Sequence, residues 1–503
     1  MKHALLALLL ILGCAPAAWS QEAASIRGVV RDALDGTPLP LANVTLEGTD
    51  RGTSTDTTGR FAFPDLAPGR YTLAVSYVGY RPYRARITLG RGAARRLEID
   101  LQPVDLEIDE VTVTGERAGE EARSLGVVTL TPEQVRDVPT VLEPDVFRSL
   151  QLLPGVKAAS DFSSGLYIRG GSPDQTLILL DRAPVYNPTH VFGFFSTFNP
   201  DAIGDVRLYK GGFPAEYGGR LGSVVDLENR TGSDEDVQGR VSVGLLASRV
   251  GVQGPHARGT WMVAVRRSTL EPLLALLNDA GVDDIPRGFA FYDLNGRITY
   301  DASARDRLAL GVYAGQDRLD YPLLDDARFD VGYGNRVLSA DWQHLFSEAL
   351  SARATLTGSH YFSDPVAAIS GTEFVRDNDV FDASARLDVV WTPDVAHVLE
   401  GGLQAGSFTT RLRNYFDGDP SYSPRIRTAY GSAYLQDTYR PTDDWMLRAG
   451  LRANYYAAGG HGRLAPRVSV ERRLGDGASL QAGYGSYYQY LTLVTTELFS
   501  AFD

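Results

Sequence analysis

Cysteine is almost missing from this chain: one residue, Cys14, in 503. It sits in an N-terminal stretch, residues 1–20, that reads as an export signal. Lys2 and His3 make a short polar start, Ala4 to Leu12 is an unbroken apolar run, and Ala18-Trp19-Ser20 places small residues at the cleavage positions before Gln21. Cleavage there leaves no thiol, which excludes disulfides, zinc thiolates and cysteine nucleophiles. The competing reading is a lipoprotein signal ending at Cys14, with Leu12 where a smaller residue is usual. A basic excess is missing too: 49 Lys and Arg face 62 Asp and Glu, a formal net charge of -13, which argues against binding nucleic acid. Beyond the signal no apolar run is long enough for a transmembrane helix, so a place in a membrane requires a closed β-barrel.

The 7 histidines are scattered. His397-Val398-Leu399-Glu400 has the spacing of a helical metal pair, but it falls in an alternating strand, where residues three apart face opposite ways. No Gly-x-Ser-x-Gly elbow and no nucleophile–base set can be found. Neither an enzyme, nor a metal site, nor a cofactor is expected.

What the chain does have is 52 Gly, 25 Tyr and 20 Phe, a leaning toward β structure with many turns. Its length calls for several domains. Between residues 25 and 102, alternating runs (Ile26 to Val30, Asn43 to Leu46, Arg60 to Phe63, Tyr71 to Tyr77, Arg84 to Leu89) are separated by Asp35-Gly36, Thr58-Gly59 and Pro68-Gly69, which predicts a small β-sandwich. Arg27 to Asp32, Pro38 to Val44, Thr55 to Phe61 and Pro68 to Tyr71 resemble the carboxypeptidase regulatory-like domain. That resemblance implies a transthyretin-like sandwich without any peptidase zinc site.

Residues 103–123 hold Asp109-Glu110-Val111-Thr112-Val113-Thr114-Gly115, a β-prone segment beside a charged stretch. Such a segment suits strand addition to a partner sheet; the alternative is a last strand of the sandwich. In residues 124–230, apolar positions 146, 147, 150 and 153 follow helical spacing before Pro154-Gly155, and Leu166 to Gly171 and Thr176 to Asp181 read as strands. Gln151 to Val156, Ile168-Arg169-Gly170-Gly171, Leu180-Asp181-Arg182-Ala183-Pro184-Val185-Tyr186, and Lys210-Gly211-Gly212 through Tyr217-Gly218-Gly219-Arg220 resemble the plug of TonB-dependent outer-membrane receptors of the Bacteroidota type. Arg182 stands where the family usually has glycine, which puts the form of that turn in question. The resemblance implies that Asp109–Gly115 is a TonB box and that a TonB-type energy-transducing protein is the partner. It also implies an unknown small ligand of siderophore, cobalamin, glycan or peptide class. Tyr186, Phe192, Phe194 and Phe195 are candidate ligand contacts, with packing as the alternative.

From 236 to 503 alternation becomes strict. Leu447, Ala449, Leu451, Ala453 and Tyr455 alternate with Arg448, Gly450, Arg452 and Asn454, and Leu480, Ala482, Tyr484, Tyr488 and Tyr490 with Gln481, Gly483, Gly485 and Gln489. An apolar face toward outer-membrane lipid and a polar lumen give this period of two. Roughly 12 strands are read here, with tight turns such as Asp301 to Asp306 alternating with longer loops such as Asp317 to Val331, and a short helix at Leu270 to Leu277. The expected architecture is mainly β: a sandwich, an α+β plug and a partial antiparallel transmembrane β-barrel. A complete plugged barrel has about 22 strands, so a fragment of a longer chain is expected. The expected function is TonB-dependent uptake of a scarce ligand, the alternative being a surface receptor that binds or signals without transport.

Overall fold

The structure, a computed structural model, describes residues 24–101 and 126–502 apart from 34–35, 41, 48, 50, 57, 78–79, 81–82, 139–142, 159–162, 283–284, 325–326, 476–477 and 497–498. The export signal, the linker and Asp109–Gly115 lie outside the described residues.

Residues 24–101 form seven strands: Ala24–Asp32 (β1), Asn43–Glu47 (β2), Gly52–Ser54 (β3), Arg60–Leu66 (β4), Gly69–Ser76 (β5), Tyr83–Leu89 (β6) and Ala94–Leu101 (β7). They make two sheets, in the orders β4-β1-β7 and β3-β2-β5-β6, with β1 and β7 parallel. Alternate residues turn inward, so that Val44 and Leu46, Phe61 and Phe63, Leu73 and Val75, and Ile99 and Leu101 share one core. Each such side chain contributes about 1.5–3 kcal/mol by leaving water. The buried Thr55 hydroxyl donates to Leu39 O at 2.6 Å and accepts from Ala42 N at 2.8 Å, tying the β2 entry to the turn after β3.

The plug is built on a five-stranded sheet of Val127–Leu130 (β8), Thr176–Leu180 (β9), Ala183–Pro184 (β10), Ile203–Tyr209 (β11) and Ser223–Asn229 (β12), in the order β10-β9-β12-β11-β8. Two short helices lie beside it. Pro132–Asp137 (α1) begins with a capping box between Thr131 and Gln134, and Val146–Gln151 (α2) is capped by Asp145, whose carboxylate accepts from Arg148 N at 2.8 Å. Both termini therefore satisfy backbone donors locally. Phe147 and Leu150 of α2 pack with Val206, Leu208, Val225 and Leu227 from the sheet.

The remaining chain is one large antiparallel sheet, here called the wall. Its main path runs through Gln238–Val243 (β13), Ala247–His256 (β14), Gly259–Ser268 (β15), Gly288–Asp301 (β16), Asp306–Leu324 (β17), Ala327–Ser347 (β18) and Leu350–Ser363 (β19). It continues through Thr372–Trp391 (β20), His397–Phe416 (β21), Arg425–Thr442 (β22), Trp445–Tyr456 (β23), His461–Gly475 (β24) and Ala478–Gly485 (β25). The turn Gly244-Leu245-Leu246 between β13 and β14 carries no polar turn former, so the sequence alone does not mark it. The helix after β15 is Glu271–Asp279 (α3).

The wall is inside-out. Asp293, Asn295, Arg297 and Thr299 are buried, while Leu294, Ile298 and Tyr300 between them are 40%, 46% and 41% exposed. Leu356, Leu403, Leu435, Leu464 and Leu480 are likewise exposed on the outer face. A contiguous apolar exterior with a polar interior is stable where the surroundings are hydrocarbon.

Two expectations need correction. The stretch from Asp317 to Val331 is not a loop, because β17 stays paired with β18 as far as Leu324 and Ala327. Strands of 19 to 21 residues, such as β17, β18, β20 and β21, greatly exceed the roughly 10 needed to cross a bilayer, and in the first part of β18 the alternation is inverted, with Ala327, Val331 and Tyr333 buried. Tyr488 and Tyr490 also do not continue β25. The strand ends at Gly485, and the chain turns toward the plug, where Gln489 bridges Gly219 and its Nε2 donates to Asp174 O at 3.1 Å.

Candidate functional site

The plug lies against the polar face of the wall, and the seam between them is where the chemistry collects. Its centre is the turn between β9 and β10. Leu180 pairs with Ala183, leaving Asp181 and Arg182 as the two turn residues, with φ of 47° and 67°. Two successive left-handed residues make a type I′ turn, normally supplied by Asn-Gly. The turn thus keeps its form without glycine, at a backbone cost of about 1–2 kcal/mol for a residue carrying a Cβ. Contacts on both sides offset that cost. The Asp181 carboxylate accepts from Asn229 N at 2.9 Å and Asn229 Nδ2 at 2.6 Å, and pairs with Arg297 of β16. Arg182 reaches Asp388 of β20 at 2.7 Å, a carboxylate shared with Arg386 at 2.8 Å.

Farther along, Tyr186 and Tyr430 each donate a hydroxyl to Asp382 at 2.7 Å. His190 is buried with a carboxylate on either ring nitrogen: Asp293 of β16 on Nε2 at 2.8 Å and Asp317 of β17 on Nδ1. Burial alone would lower its pKa, but Asp293 and then Asp317 overcome that and push it up to about 9. Two acceptors on opposite ring nitrogens require both N–H groups, so the ring is the imidazolium. They also cannot converge on one ion, and among the described residues no group of three or more His, Cys, Asp or Glu could hold a metal. The ring stacks on Phe291 at 4.5 Å, and Arg266 reaches Asp293 at 2.6 Å and Ser196 O at 3.0 Å.

The loop from Phe213 to Gly219 is held differently. Arg452 of β23 holds its main chain, Nη1 donating to Ala215 O at 3.1 Å and Glu216 O at 2.8 Å, and is itself positioned by bonds from Nε and Nη2 to Asn454, Gln404 and Ser432 of the wall; the Glu216 carboxylate accepts from Arg386 Nη2 of β20 at 3.1 Å. Arg467 of β24 donates to Phe213 O and Pro214 O and lies over the rings of Phe213 and Tyr487. Gly218 lets Arg452 close in, since a Cβ there would stand 2.5 Å from its Nε.

The motif residues expected from sequence fall into separate groups. Arg169, Lys210, Gly211 and Gly212 meet at one corner of the plug, where Lys210 N donates to Gly126 O at 2.9 Å and Lys210 Nζ to Pro154 O at 3.1 Å. Gly170 and Gly171 form the turn after Ile168. Asp181 lies on the wall, and Tyr217, Gly218 and Gly219 sit on the Arg452 side, with Tyr217 donating to Asp226 at 2.8 Å. Burial pushes the Asp226 carboxyl up to about 6. Between plug and wall is a cavity of about 130 Å³ whose lining includes Tyr186, Arg220, Tyr430, Tyr456 and Tyr490. Of the candidate ligand contacts, Tyr186 lines this cavity. Phe194 and Phe195 do not: they pack edge to face at 5.0 Å, with Phe195 against Phe291. The side chain of Phe192 lies outside the described residues. His190, Asp293, Asp317 and Arg266 were not singled out from sequence as a site.

Residues 25–102 match the carboxypeptidase regulatory-like domain, residues 123–224 the TonB-dependent receptor plug domain, and residues 271–499 the TonB-dependent receptor-like β-barrel. The chain belongs to the TonB-dependent receptor family. Such receptors are outer-membrane proteins, and so is this one. A probable TonB-dependent siderophore receptor, PirA, of Acinetobacter baumannii is 23% identical over 474 residues, covering 79% of this receptor and 61% of that one. The TonB-dependent transporter Oar of Myxococcus xanthus is 28% identical over 42% of this chain and 21% of its own. The chain thus spans at most about three-fifths of these relatives. Among solved structures, the A. baumannii siderophore receptor PirA aligns at a TM-score of 0.56 with 16% identity, over 74% of this chain and 62% of that one. The copper transporter OprC aligns at 0.57 with 15% identity, over 72% and 62%. These likenesses show the fold. The relatives are named as receptors and transporters, not as enzymes.

Proposed function

We propose that this receptor takes up a scarce small ligand across the outer membrane, with energy supplied by a TonB-type energy-transducing protein that pairs with Asp109–Gly115 by strand addition. The sandwich and the box stand in the periplasm in this reading. The observation that carries it is the make-up of the seam. Plug and wall are joined by many ion pairs and hydrogen bonds, as at Arg182–Asp388, Asp181–Arg297, Tyr186–Asp382 and His190–Asp293, interspersed with small apolar clusters such as Phe195 with Phe289 and Phe291. Water entering the lumen can replace such contacts at a net cost of about 0.5–3 kcal/mol each, whereas separating a dry apolar interface of the same extent has no such substitute. A plug seated in this way can shift under force and return. One relative named for a siderophore and another named as the ferrienterobactin receptor favour a siderophore-type ligand over cobalamin, glycan or peptide.

The test is deletion of residues 109–115 in cells that carry the receptor. Ligand binding at the surface is expected to persist while accumulation stops. Accumulation that survives the deletion overturns the coupling, and binding without accumulation in the intact receptor points to a surface-binding or signalling role instead.

A further inference from the structure

A second cavity, of about 160 Å³, lies between the plug and the first wall strands and shares no lining residue with the tyrosine-lined one. Three guanidinium groups from three elements line it. Arg136 is in the last turn of α1, Arg230 directly follows β12, and Arg240 is in β13. Gln238, Gln253 and Asp201 complete its polar lining.

The positive charge is poorly matched from within the protein. Arg230 Nε donates to Ile203 O at 3.2 Å, but its Nη2 is buried with no hydrogen-bond partner. The carboxylate near that nitrogen is Glu133, at 3.7 Å, and it is already bonded by Arg136. Asp201, the acidic residue in the lining, reaches instead to Arg249 of β14 at 3.2 Å. Burial and then the charge of Arg136 lower the pKa of Arg230, Glu133 and Asp201 act against them, and Arg240 lowers it again, so the two carboxylates offset the repulsion that Arg230 feels from both other cations only in part. Three guanidinium groups round a space of this size, with one buried donor unused, leave a free-energy deficit that an anion would remove.

We infer that this cavity binds a phosphate group. Arginine forks fit tetrahedral oxyanions through paired N–H donors, and the two glutamines add neutral donors on the wall side. The phosphate can come from a diffusing solute or from a lipid headgroup, and the chemistry of recognition is the same. The inference does not depend on the uptake proposal, since it concerns binding alone.

The test uses the purified receptor in a phosphate-free maltoside detergent, titrated calorimetrically with inorganic phosphate at fixed ionic strength set by chloride. Saturable binding is expected. Arg240→Gln and Arg230→Gln should each weaken it by about tenfold or more, as expected for loss of one charge-assisted contact. Arg240 is exposed on the wall, so its replacement leaves the fold intact and decides the matter if Arg230→Gln does not fold. Repeating the titration in bilayers with and without phosphatidylglycerol separates the sources: apparent affinity that falls with the anionic lipid indicates a headgroup, and unchanged affinity a free phosphate. No saturable binding to the wild type, or equal binding by wild type and both variants, overturns the inference.

Discussion

His190 offers the sharpest quantitative test of the seam. Its ordinary pKa of 6.5 rises to about 9 in the folded receptor, which corresponds to about 3 kcal/mol favouring the charged folded form. Because the folded value is the higher one, this stabilisation is fully present below pH 6.5. It is lost progressively as pH rises through 9. The groups that face the ring set the sign. Asp293 on β16 and Asp317 on β17 take its protons, Arg266 on β15 shares Asp293, and the hydroxyls of Tyr313 and Tyr333 donate to Asp293 at 2.8 Å and Asp317 at 3.0 Å. Val191 N also donates to Asp317 at 2.8 Å, so the backbone next to His190 is fastened by the same carboxylate. Raising the pH from 7 to 10 should therefore loosen the segment Asn187 to Ser196. Amide hydrogen exchange, corrected for intrinsic rates, should show its protection falling by roughly 100-fold, the equivalent of about 3 kcal/mol. His190→Gln should start from the loosened level already at pH 7, because it leaves two buried carboxylates short of a cation, a defect of about 3–5 kcal/mol. Unchanged protection at pH 10 in the wild type, or a His190→Gln receptor as protected as wild type at pH 7, would refute the imidazolium assignment.

Other perturbations should respond as follows. Asp181→Ala leaves Arg297 buried without its carboxylate and should destabilise the plug by about 3–5 kcal/mol in urea unfolding. Arg182→Gly relieves about 1–2 kcal/mol of left-handed strain but leaves Arg386 alone between the buried carboxylates of Asp388 and Glu216, so it should destabilise the plug by about 1–4 kcal/mol net. Gly218→Ala puts a methyl 2.5 Å from Arg452 Nε, and displacing an arginine with five hydrogen bonds should cost about 1–3 kcal/mol in the same assay. Asp226, pushed up to about 6 from 3.8, favours the folded state most below pH 3.8, and its contribution is lost as pH rises through 6. Asp226→Asn should therefore raise stability at pH 7 by up to about 3 kcal/mol and flatten the dependence between pH 4 and 6, read from unfolding midpoints across that range.

Alternation exposed much of this fold before any coordinates, because a wall with lipid outside and a polar lumen imposes the same period on every membrane strand. It placed Arg452 on the lumen side among Arg448, Gly450 and Asn454. It could not give the partner, since Arg452 bonds Ala215 and Glu216 at sequence separations of 237 and 236 residues. His190 was invisible for the same reason: a histidine in an irregular stretch says nothing of aspartates 103 and 127 residues away. The pairing of β17 with β18 beyond Asp317 was hidden because there Ala327, Val331 and Tyr333 turn inward, opposite to the apolar face of the membrane strands. At Arg182 the missing glycine raised a fair doubt about the turn, and the answer came from Asp388 and Arg297, which hold the turn from outside.

The two flanks of the plug should also drift differently over evolutionary time. On the His190 and Asp181 flank, side chain meets side chain, so a change on the plug demands a matching change on the wall. On the Arg452 and Arg467 flank, the wall grips main-chain oxygens of Phe213 to Glu216, and every amino acid supplies a carbonyl. Mutation can then rewrite much of that loop's surface without breaking the grip, provided both arginines, the space at Gly218 and the Glu216 carboxylate that accepts from Arg386 remain.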